Sequence, residues 1–339
     1  MKFKYLITVL RTVKIPGLFP IMRDWQAFVR MHFIYAALES GLLEALSTPS
    51  SRDDLIEKLN VKRPEILEAL LDVGLSVKEL ACKNGTYSIK GKRSKSVMGN
   101  EGDILAAMIQ ANITYYSSAY RNAAERMHGD PLGNDLEKMG NLVARFAKIG
   151  EPLIRDFMTT IVTGKSSMRV LDVGCGSGVF MRSIYNANQN ASGIGIDIDE
   201  EVVDQAKQNM EKWGLSNKFR IIAGDILDPP EGLEGPFDLI TLFNIIYYFP
   251  SQERFELLKT LRSMLSPNGV VAVAMHFQSR GKDLGAANLN MVNCSLKGLT
   301  PLPDLDELTA QLKETGFNEI RIQRLMPRST FFGIIASIP

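Results

Sequence analysis

The chain has 339 residues, with 39 Lys+Arg against 38 Asp+Glu, and 45% of its residues are hydrophobic and 23% charged. That length suits two domains and a sizeable core, and the near-neutral balance argues against nucleic acid as the main partner, because phosphate binding needs clustered cations. The scattered cysteines Cys82, Cys175 and Cys294 give neither a metal spacing nor a disulfide frame, and no apolar run approaches the ~20 residues of a membrane span, so a cytoplasmic protein without membrane attachment is expected.

The opening segment, MKFKYLITVLRTVK, is basic, but its apolar run YLITVL is short for a secretory signal and no small-residue cleavage site follows. Residues 24–47 predict a helix, with Phe28, Met31, Ile34, Leu38 and Leu42 recurring at three- and four-residue steps on one face. SSRDDLIEKLNV opens with Ser51 three residues before Asp54, a capping-box start. RPEILEALLDVGL predicts a second short helix, and NGTYSIKGK a turn at Asn84-Gly85 feeding a strand. Helix, helix and a small β element is the order of a winged helix. Such a module binds DNA or serves dimerisation. Lys90, Lys92, Arg93 and Lys95 are placed to touch phosphate, but the run is short and the total charge balanced, which favours dimerisation.

Residues 101–160 read as mostly helical and rich in tyrosine; Tyr115, Tyr116 and Tyr120 are packing residues or part of a cap over a substrate. From 168 onward strand and helix alternate. MRVLDVG, ASGIGIDID, KFRIIAGDI, FDLITLFN and GVVAVAMH are strands, separated by helices such as EEVVDQAKQNMEKWG and ERFELLKTLRSML, the latter stopped by Pro267, Asn268 and Gly269. This order predicts a mostly parallel sheet covered on both faces. A last helix at 304–315 is followed by EIRIQRL and FFGIIASI, two strands with no helix between them, hence an antiparallel hairpin at a sheet edge. The expected division is 1–100, 101–160 and 161–339.

VLDVGCGSGVF, residues 170–180, carries the chemistry. Gly174, Gly176 and Gly178 follow the first strand directly, where a tight turn lets the backbone approach a ligand. Asp197 ends the second strand, at the place where a carboxylate accepts the ribose hydroxyls of an adenosine. The glycine spacing is not G-x-G-x-x-G, and Asp172 just before the turn would repel a pyrophosphate. A nucleotide-cofactor oxidoreductase is therefore disfavoured. The carboxylate suits a ligand with adenosine at one end and an ammonium at the other.

These residues resemble the first motif of class I S-adenosylmethionine-dependent methyltransferases. GIDID is similar to that family's ribose-binding strand end, AGDIL to its adenine motif, FDLITLFNIIYYF to the strand lining the reaction centre, and LSPNGVVAVA to the stretch entering the fifth strand. HFIYAALESGLLEAL, the winged-helix order and GTYSIKGK resemble the N-terminal dimerisation domain of small-molecule O-methyltransferases. The resemblance implies an α/β fold: a Rossmann-like seven-stranded domain, mostly parallel with an antiparallel edge, plus a helical winged-helix domain. It also implies S-adenosyl-L-methionine as methyl donor and a homodimer formed through the N-terminal domain.

Residue by residue, the resemblance implies that Asp172, Gly174, Cys175, Gly176 and Gly178 form the methionine-end loop. Asp197 and Ile198 would serve the ribose, Asp225 and Ile226 the adenine, and Asn244 the sulfonium. Methyl transfer to a phenol also needs a base, because phenols ionise near pH 10. The plant-type enzymes use a histidine after the fifth strand; here Asn293, Cys294 and Ser295 stand near that place, and Tyr247 stands where the fourth motif often has histidine. Of His32, His128 and His276, the last ends the fifth strand and is the base candidate, with Tyr247 as partner or wall for the acceptor. Met108, Ile109, Tyr115, Tyr116 and Met291 suggest a small, largely apolar, possibly aromatic acceptor. Oxygen is the favoured methyl-accepting atom; carbon, nitrogen or sulfur, or a winged-helix regulator that binds S-adenosylmethionine without catalysis, are the alternatives.

Overall fold

The computed structural model describes residues 17–100, 102–135, 142, 143 and 145–338; the basic opening segment lies outside them. The chain divides into two compact units, Met1–Ser117 with Gly140–Phe146 and Ser118–Met139 with Ala147–Pro339. The division falls within the 101–160 stretch expected to stand apart as a cap.

In the first unit, helix α1 (Leu18–Glu39) buries Phe33, Ile34 and Ala37. The expected apolar face is corrected at its N-terminal end. Phe28 is 59% exposed, as are Phe19, Ile21, Met22 and Trp25 to similar degrees, because this half of the helix runs past the core. A left-handed Gly41 (φ 73°) breaks the helix before α2 (Leu42–Ala45). Strand β1 (Ser50–Ser51) leads into α3 (Arg52–Lys58), whose start is the expected capping box: Ser51 and Asp54 exchange side-chain and backbone hydrogen bonds. Helix α4 (Pro64–Ser76) begins on Pro64, which needs no N–H there.

Strands β2 (Leu80–Lys83) and β3 (Thr86–Ile89) form a hairpin through Asn84 (φ 51°) and Gly85 (φ 77°), two left-handed residues as a tight hairpin requires. β3 is the centre of an antiparallel β1-β3-β2 sheet. Glu79, 1% exposed, organises the chain on the far side of this hairpin. Its carboxylate accepts from Ser94 N (3.1 Å) and Ser94 Oγ (3.0 Å) and pairs with Arg93 (3.3 Å) and Arg30 (3.8 Å). It sits so close to Gly91 that a Cβ there would lie 1.8 Å from Glu79 Oε2. The basic run is thus folded around a buried carboxylate into α5 (Lys92–Val97), and Arg93 is committed to an ion pair. Helix α6 (Gly102–Ala111) continues through a π-turn that buries Tyr115 and Tyr116. Both tyrosines pack: their rings lie 4.9 Å apart, and Tyr116 meets Phe146 edge-on.

Helices α7 (Ser117–Arg121) and α8 (Ala123–Met127) lead into the second unit, where α9 (Glu151–Val162) precedes the sheet. In chain order come β4 (Met168–Val173), α10 (Val179–Ala187), β5 (Ala191–Asp197), α11 (Glu200–Lys212), β6 (Phe219–Ala223), β7 (Phe237–Phe243), α12 (Ser251–Ser263) and β8 (Leu265–His276). The chain ends with α13 (Leu284–Asn293), α14 (Leu305–Glu314), β9 (Glu319–Arg324) and β10 (Phe331–Ser337). The strands form one seven-stranded sheet, order β6-β5-β4-β7-β8-β10-β9. β4 to β8 are parallel, and β10 runs antiparallel to both β8 and β9.

Both faces are covered, which is why the inner strands read as nearly unbroken apolar runs. Leu171, Ile240, Val271 and Val273 pack with Leu257 and Leu261 of α12 and Leu308 and Leu312 of α14. Val170, Leu239, Ala272 and Ala274 pack with α9, α10 and α11 through Phe157, Met181 and Val203. Pro267, Asn268 and Gly269 lie inside β8, where the pairing jumps from Phe237↔Leu265 to Leu239↔Val270, so they form a bulge after α12 has already ended.

Candidate active site

The C-terminal ends of β4, β5, β7 and β8 meet on one edge of the sheet, where open α/β sheets bind ligands. β4 runs straight into the glycine loop. Gly174, Gly176 and Gly178 have φ of 66°, 53° and 78°, a left-handed conformation that other residues adopt at a cost. Gly174 N and Cys175 N both donate to Ile196 O, and Gly176 N donates to Asp197 Oδ2 at 2.9 Å. The loop is thereby pinned to the end of β5. A Cβ on Gly178 would strike Met210 at 2.4 Å, whereas one on Gly176 would meet nothing within 4 Å. The backbone at Gly176 borders open space that a side chain would fill.

Asp172 is 1% exposed. Its Oδ1 accepts from Thr241 Oγ1 at 2.5 Å, directly across the β4–β7 pairing. Its Oδ2 is buried with no partner. Burial raises its pKa to about 7; the Thr241 bond pulls it down and the charge of Asp197 pushes it up. An unpartnered buried carboxylate oxygen beside an open glycine loop fits a ligand ammonium. Asp197 keeps acceptor capacity, since Asp199 N (3.2 Å) and Gly176 N take one contact on each oxygen. Ile198, 74% exposed, offers an apolar surface next to it.

Two of the expected site residues, Cys175 and Ile226, turn their side chains into the core. Cys175 turns its side chain into the core, against the backbone of Gly195, and burial raises its thiol pKa; its N–H and C=O are already bonded to Ile196 O and Gly178 N. Ile226 is likewise a core side chain. Asp225 closes a turn by accepting from Leu227 N at 2.9 Å, though it stays exposed beside the β6 end. Asn244 ends β7 in a left-handed conformation (φ 55°), with its N–H donating to Ala274 O.

Beyond Asn244 a 3-10 turn, Ile246–Tyr248, is held from below. Thr300 donates through N (2.8 Å) and Oγ1 (2.9 Å) to Tyr247 O. Arg254, 3% exposed, donates to Phe249 O (2.9 Å) and Thr300 Oγ1 (3.0 Å). Tyr248, which lies within FDLITLFNIIYYF but is not among the expected site residues, is 42% exposed; desolvation of its phenol and the charge of Asp197 raise its pKa. Its one sequence signal is its place beside Tyr247 in the same turn.

His276 ends β8, its ring on Phe331 (4.8 Å) and its Nδ1 buried 3.9 Å from Asp283 Oδ2. Burial lowers its pKa, and Asp283 offsets this in part. Asp283 caps α13 through Ala286 N and accepts from Ser329 Oγ and Thr330 N; against the opposing effect of burial these bonds hold it at about 2. His32 bonds Phe28 O within α1, and His128 is exposed at the end of α8.

Residues 164–316 match the family described as methyltransferase domain. The chain is 27% identical over 177 residues to 24-methylenesterol C-methyltransferase 2 of Arabidopsis thaliana, covering 47% of this chain and 48% of that protein. It is 32% identical over 164 residues to tRNA 5-carboxymethoxyuridine methyltransferase of Escherichia coli (strain K12), covering 45% of this chain and 61% of that protein. The matches thus span about half the length of these curated relatives. Among solved structures, the mitomycin 7-O-methyltransferase MmcR superposes with a TM-score of 0.79 at 14% identity, over 98% of this chain and 100% of that one. The O-methyltransferase NcsB1 from neocarzinostatin biosynthesis, in complex with S-adenosyl-L-homocysteine and 1,4-dihydroxy-2-naphthoic acid, superposes at 0.69 and 15% identity, over 91% and 96%. The fold is that of these enzymes, and residues 164–316 of this chain match a methyltransferase domain.

Proposed function

We propose that the protein transfers a methyl group from S-adenosylmethionine to an oxygen of a small, largely apolar and aromatic acceptor. The observation that carries this is the pairing of an open, left-handed glycine loop with the unpartnered Oδ2 of buried Asp172. Asp172 takes the ammonium, the Gly174–Gly178 loop the methionine backbone, Asp197 the ribose, and Ile198 and Asp225 the adenine. When bound, S-adenosylmethionine supplies a methyl group already activated on a sulfonium, so the protein's task is alignment and exclusion of water.

His276 takes the proton of the acceptor hydroxyl. Burial favours its neutral form, which is the form able to accept a proton at neutral pH. Tyr247 and Tyr248, on a turn braced by Arg254 and Thr300, stand beside the acceptor. Solved structures of this fold include the mitomycin 7-O-methyltransferase MmcR and the O-methyltransferase NcsB1, which supports oxygen over carbon as the accepting atom.

The first unit acts as a winged-helix dimerisation module. Exposed Phe19, Ile21, Met22, Trp25 and Phe28 along α1 support a second copy as its partner, and commitment of Arg93 to Glu79 weighs against DNA. Two exposed free thiols, Cys82 and Cys294, suit a reducing, cytoplasmic setting.

Titration calorimetry with S-adenosylhomocysteine and, separately, NADH tests the donor assignment. Heat with the first alone is expected. Binding of NADH in its place overturns the reading.

A further inference from the structure

Asp283 is the N-cap of α13, and a cap needs one acceptor oxygen; Oδ1 fills that part by accepting from Ala286 N at 3.1 Å. Oδ2 serves a different segment. It accepts from Ser329 Oγ and Thr330 N, both at 2.7 Å, and from Thr330 Oγ1 at 3.3 Å, in the turn that enters β10. These donors are neutral, so the carboxylate keeps its charge. Against the opposing effect of burial, the bonds from Ser329, Thr330 and Ala286 hold it at about 2, and it is ionised throughout the neutral range.

The same Oδ2 lies 3.9 Å from His276 Nδ1, which is buried and bonds to nothing. That separation is too long for a hydrogen bond and short enough for charge to act in a partly buried place. The strands fix the ring: His276 faces Phe331 across the β8–β10 pairing, with ring centroids 4.8 Å apart. Phe277 N donates to Thr330 O at 3.0 Å and Thr330 Oγ1 to Phe277 O at 2.8 Å, so one turn holds both the imidazole and the carboxylate. β10 presents the apolar Phe331 to the ring, and α13 contains no titratable residue. Among the described residues, Asp283 is the charged group that acts on His276.

A neutral imidazole carries a proton on one nitrogen and a lone pair on the other. With the proton on Nε2, the lone pair of Nδ1 would face a carboxylate in surroundings that screen it poorly. With the proton on Nδ1, the positive end of the N–H faces it instead. We propose that Asp283 is a positioning residue that fixes neutral His276 as the Nδ1–H tautomer and leaves Nε2 as the nitrogen able to accept a proton. Which nitrogen carries the lone pair decides the side from which an acceptor hydroxyl must approach. That consequence rests on the proposed role of His276 as base; the tautomer itself does not.

The test is nitrogen-15 NMR of the full chain labelled at histidine, at about pH 8, where imidazoles are neutral. The chain has three histidines, and His276→Gln identifies the signals of the last. His276 is expected mainly as Nδ1–H, whereas a free histidine side chain prefers Nε2–H. Asp283→Ser keeps an oxygen to cap α13 and removes the charge, so the ratio of the two forms is expected to invert. Ser329→Ala breaks one bond of the same turn but leaves the carboxylate, and is expected to melt lower and keep Nδ1–H. A wild-type ring found mainly as Nε2–H overturns the proposal, and this spectrum decides even where a variant does not fold. A folded Asp283→Ser that stays Nδ1–H, or a Ser329→Ala that loses it, overturns it as well. The spectra need no methyl acceptor, so unchanged turnover in His276→Gln would remove the base reading and leave this one standing.

Discussion

Asp172 and Thr241 face each other across the β4–β7 pairing, with Thr241 Oγ1 donating to Asp172 Oδ1 at 2.5 Å while Oδ2 has no partner. In the folded chain the carboxyl titrates at about 7, against 3.8 for the ordinary group. The folded state therefore keeps a proton that the unfolded state has released. Its contribution to stability is full below pH 4 and is lost as pH rises to 7. A ligand ammonium reverses the preference. Affinity for S-adenosylhomocysteine is expected to climb between pH 5.5 and 7.5, by at most about ten-fold per pH unit, with a proton released on binding. Calorimetry in two buffers of different ionisation heat measures that proton. Thr241→Val moves the rise to higher pH, because the hydroxyl favours the ionised form, and Asp172→Asn abolishes it.

The glycine loop separates a ligand effect from a packing effect. An alanine at 176 meets nothing within 4 Å, so its cost to the fold is the left-handed backbone alone, about 1–2 kcal/mol. An alanine at 178 adds a clash with Met210. Gly176→Ala is expected to lose donor affinity by more than ten-fold with modest loss of thermal stability, and Gly178→Ala to lose more stability. Similar melting of the two variants with unchanged donor affinity would show that the cradle is not used.

The loop is legible in the sequence because a backbone constraint leaves a residue-type signature: only glycine sits easily at φ 66°, 53° and 78° in quick succession. Asp197 is legible for a similar reason, being polar at the end of an apolar strand. The Asp172–Thr241 bond is hidden because it depends on the register of two strands far apart in the chain, and a threonine inside FDLITLF reads only as a β-former. That the side chains of Cys175 and Ile226 point into the core is hidden too, because motif membership does not say which way a side chain points.

On the proposed mechanism, in which His276 is the base, its titration sets the pH dependence of catalysis. Burial lowers its pKa from 6.5, so the imidazole is neutral at pH 7 and gains a proton only in more acidic solution. With a phenolic acceptor, turnover is expected to fall on an acid limb below pH 6.5. His276→Gln should lower turnover ten-fold or more and leave S-adenosylhomocysteine affinity intact. A nitrogen-detected NMR titration that finds the ring charged at pH 7 would remove it as the base.

Glu79 is the point on which the first unit turns. Its buried carboxylate satisfies Ser94 N and Oγ and pairs with Arg93 and Arg30. Glu79→Ala leaves a buried N–H and hydroxyl unpaired and is expected to cost about 3–5 kcal/mol, by analogy with breaking other buried pairs. Denaturant unfolding followed by hydrogen exchange of the α1–α5 amides measures the loss. Glu79→Gln keeps an acceptor for Ser94 and should recover part of it.

The proposed dimer contact is the exposed half of α1. Ile21, Met22, Trp25 and Phe28 recur at helical spacing and are 64%, 44%, 55% and 59% exposed. A stripe of that kind on a monomer invites aggregation, whereas a second copy buries it from both sides. Removing the large side chains while adding charge leaves the buried face, Phe33, Ile34 and Ala37, untouched. Met22→Glu with Trp25→Glu is therefore expected to keep the helix content and convert a dimer to a monomer in light scattering at micromolar concentration. A wild-type chain that is monomeric at about 100 μM, or a double variant that stays dimeric, would rule out this stripe as the contact between copies.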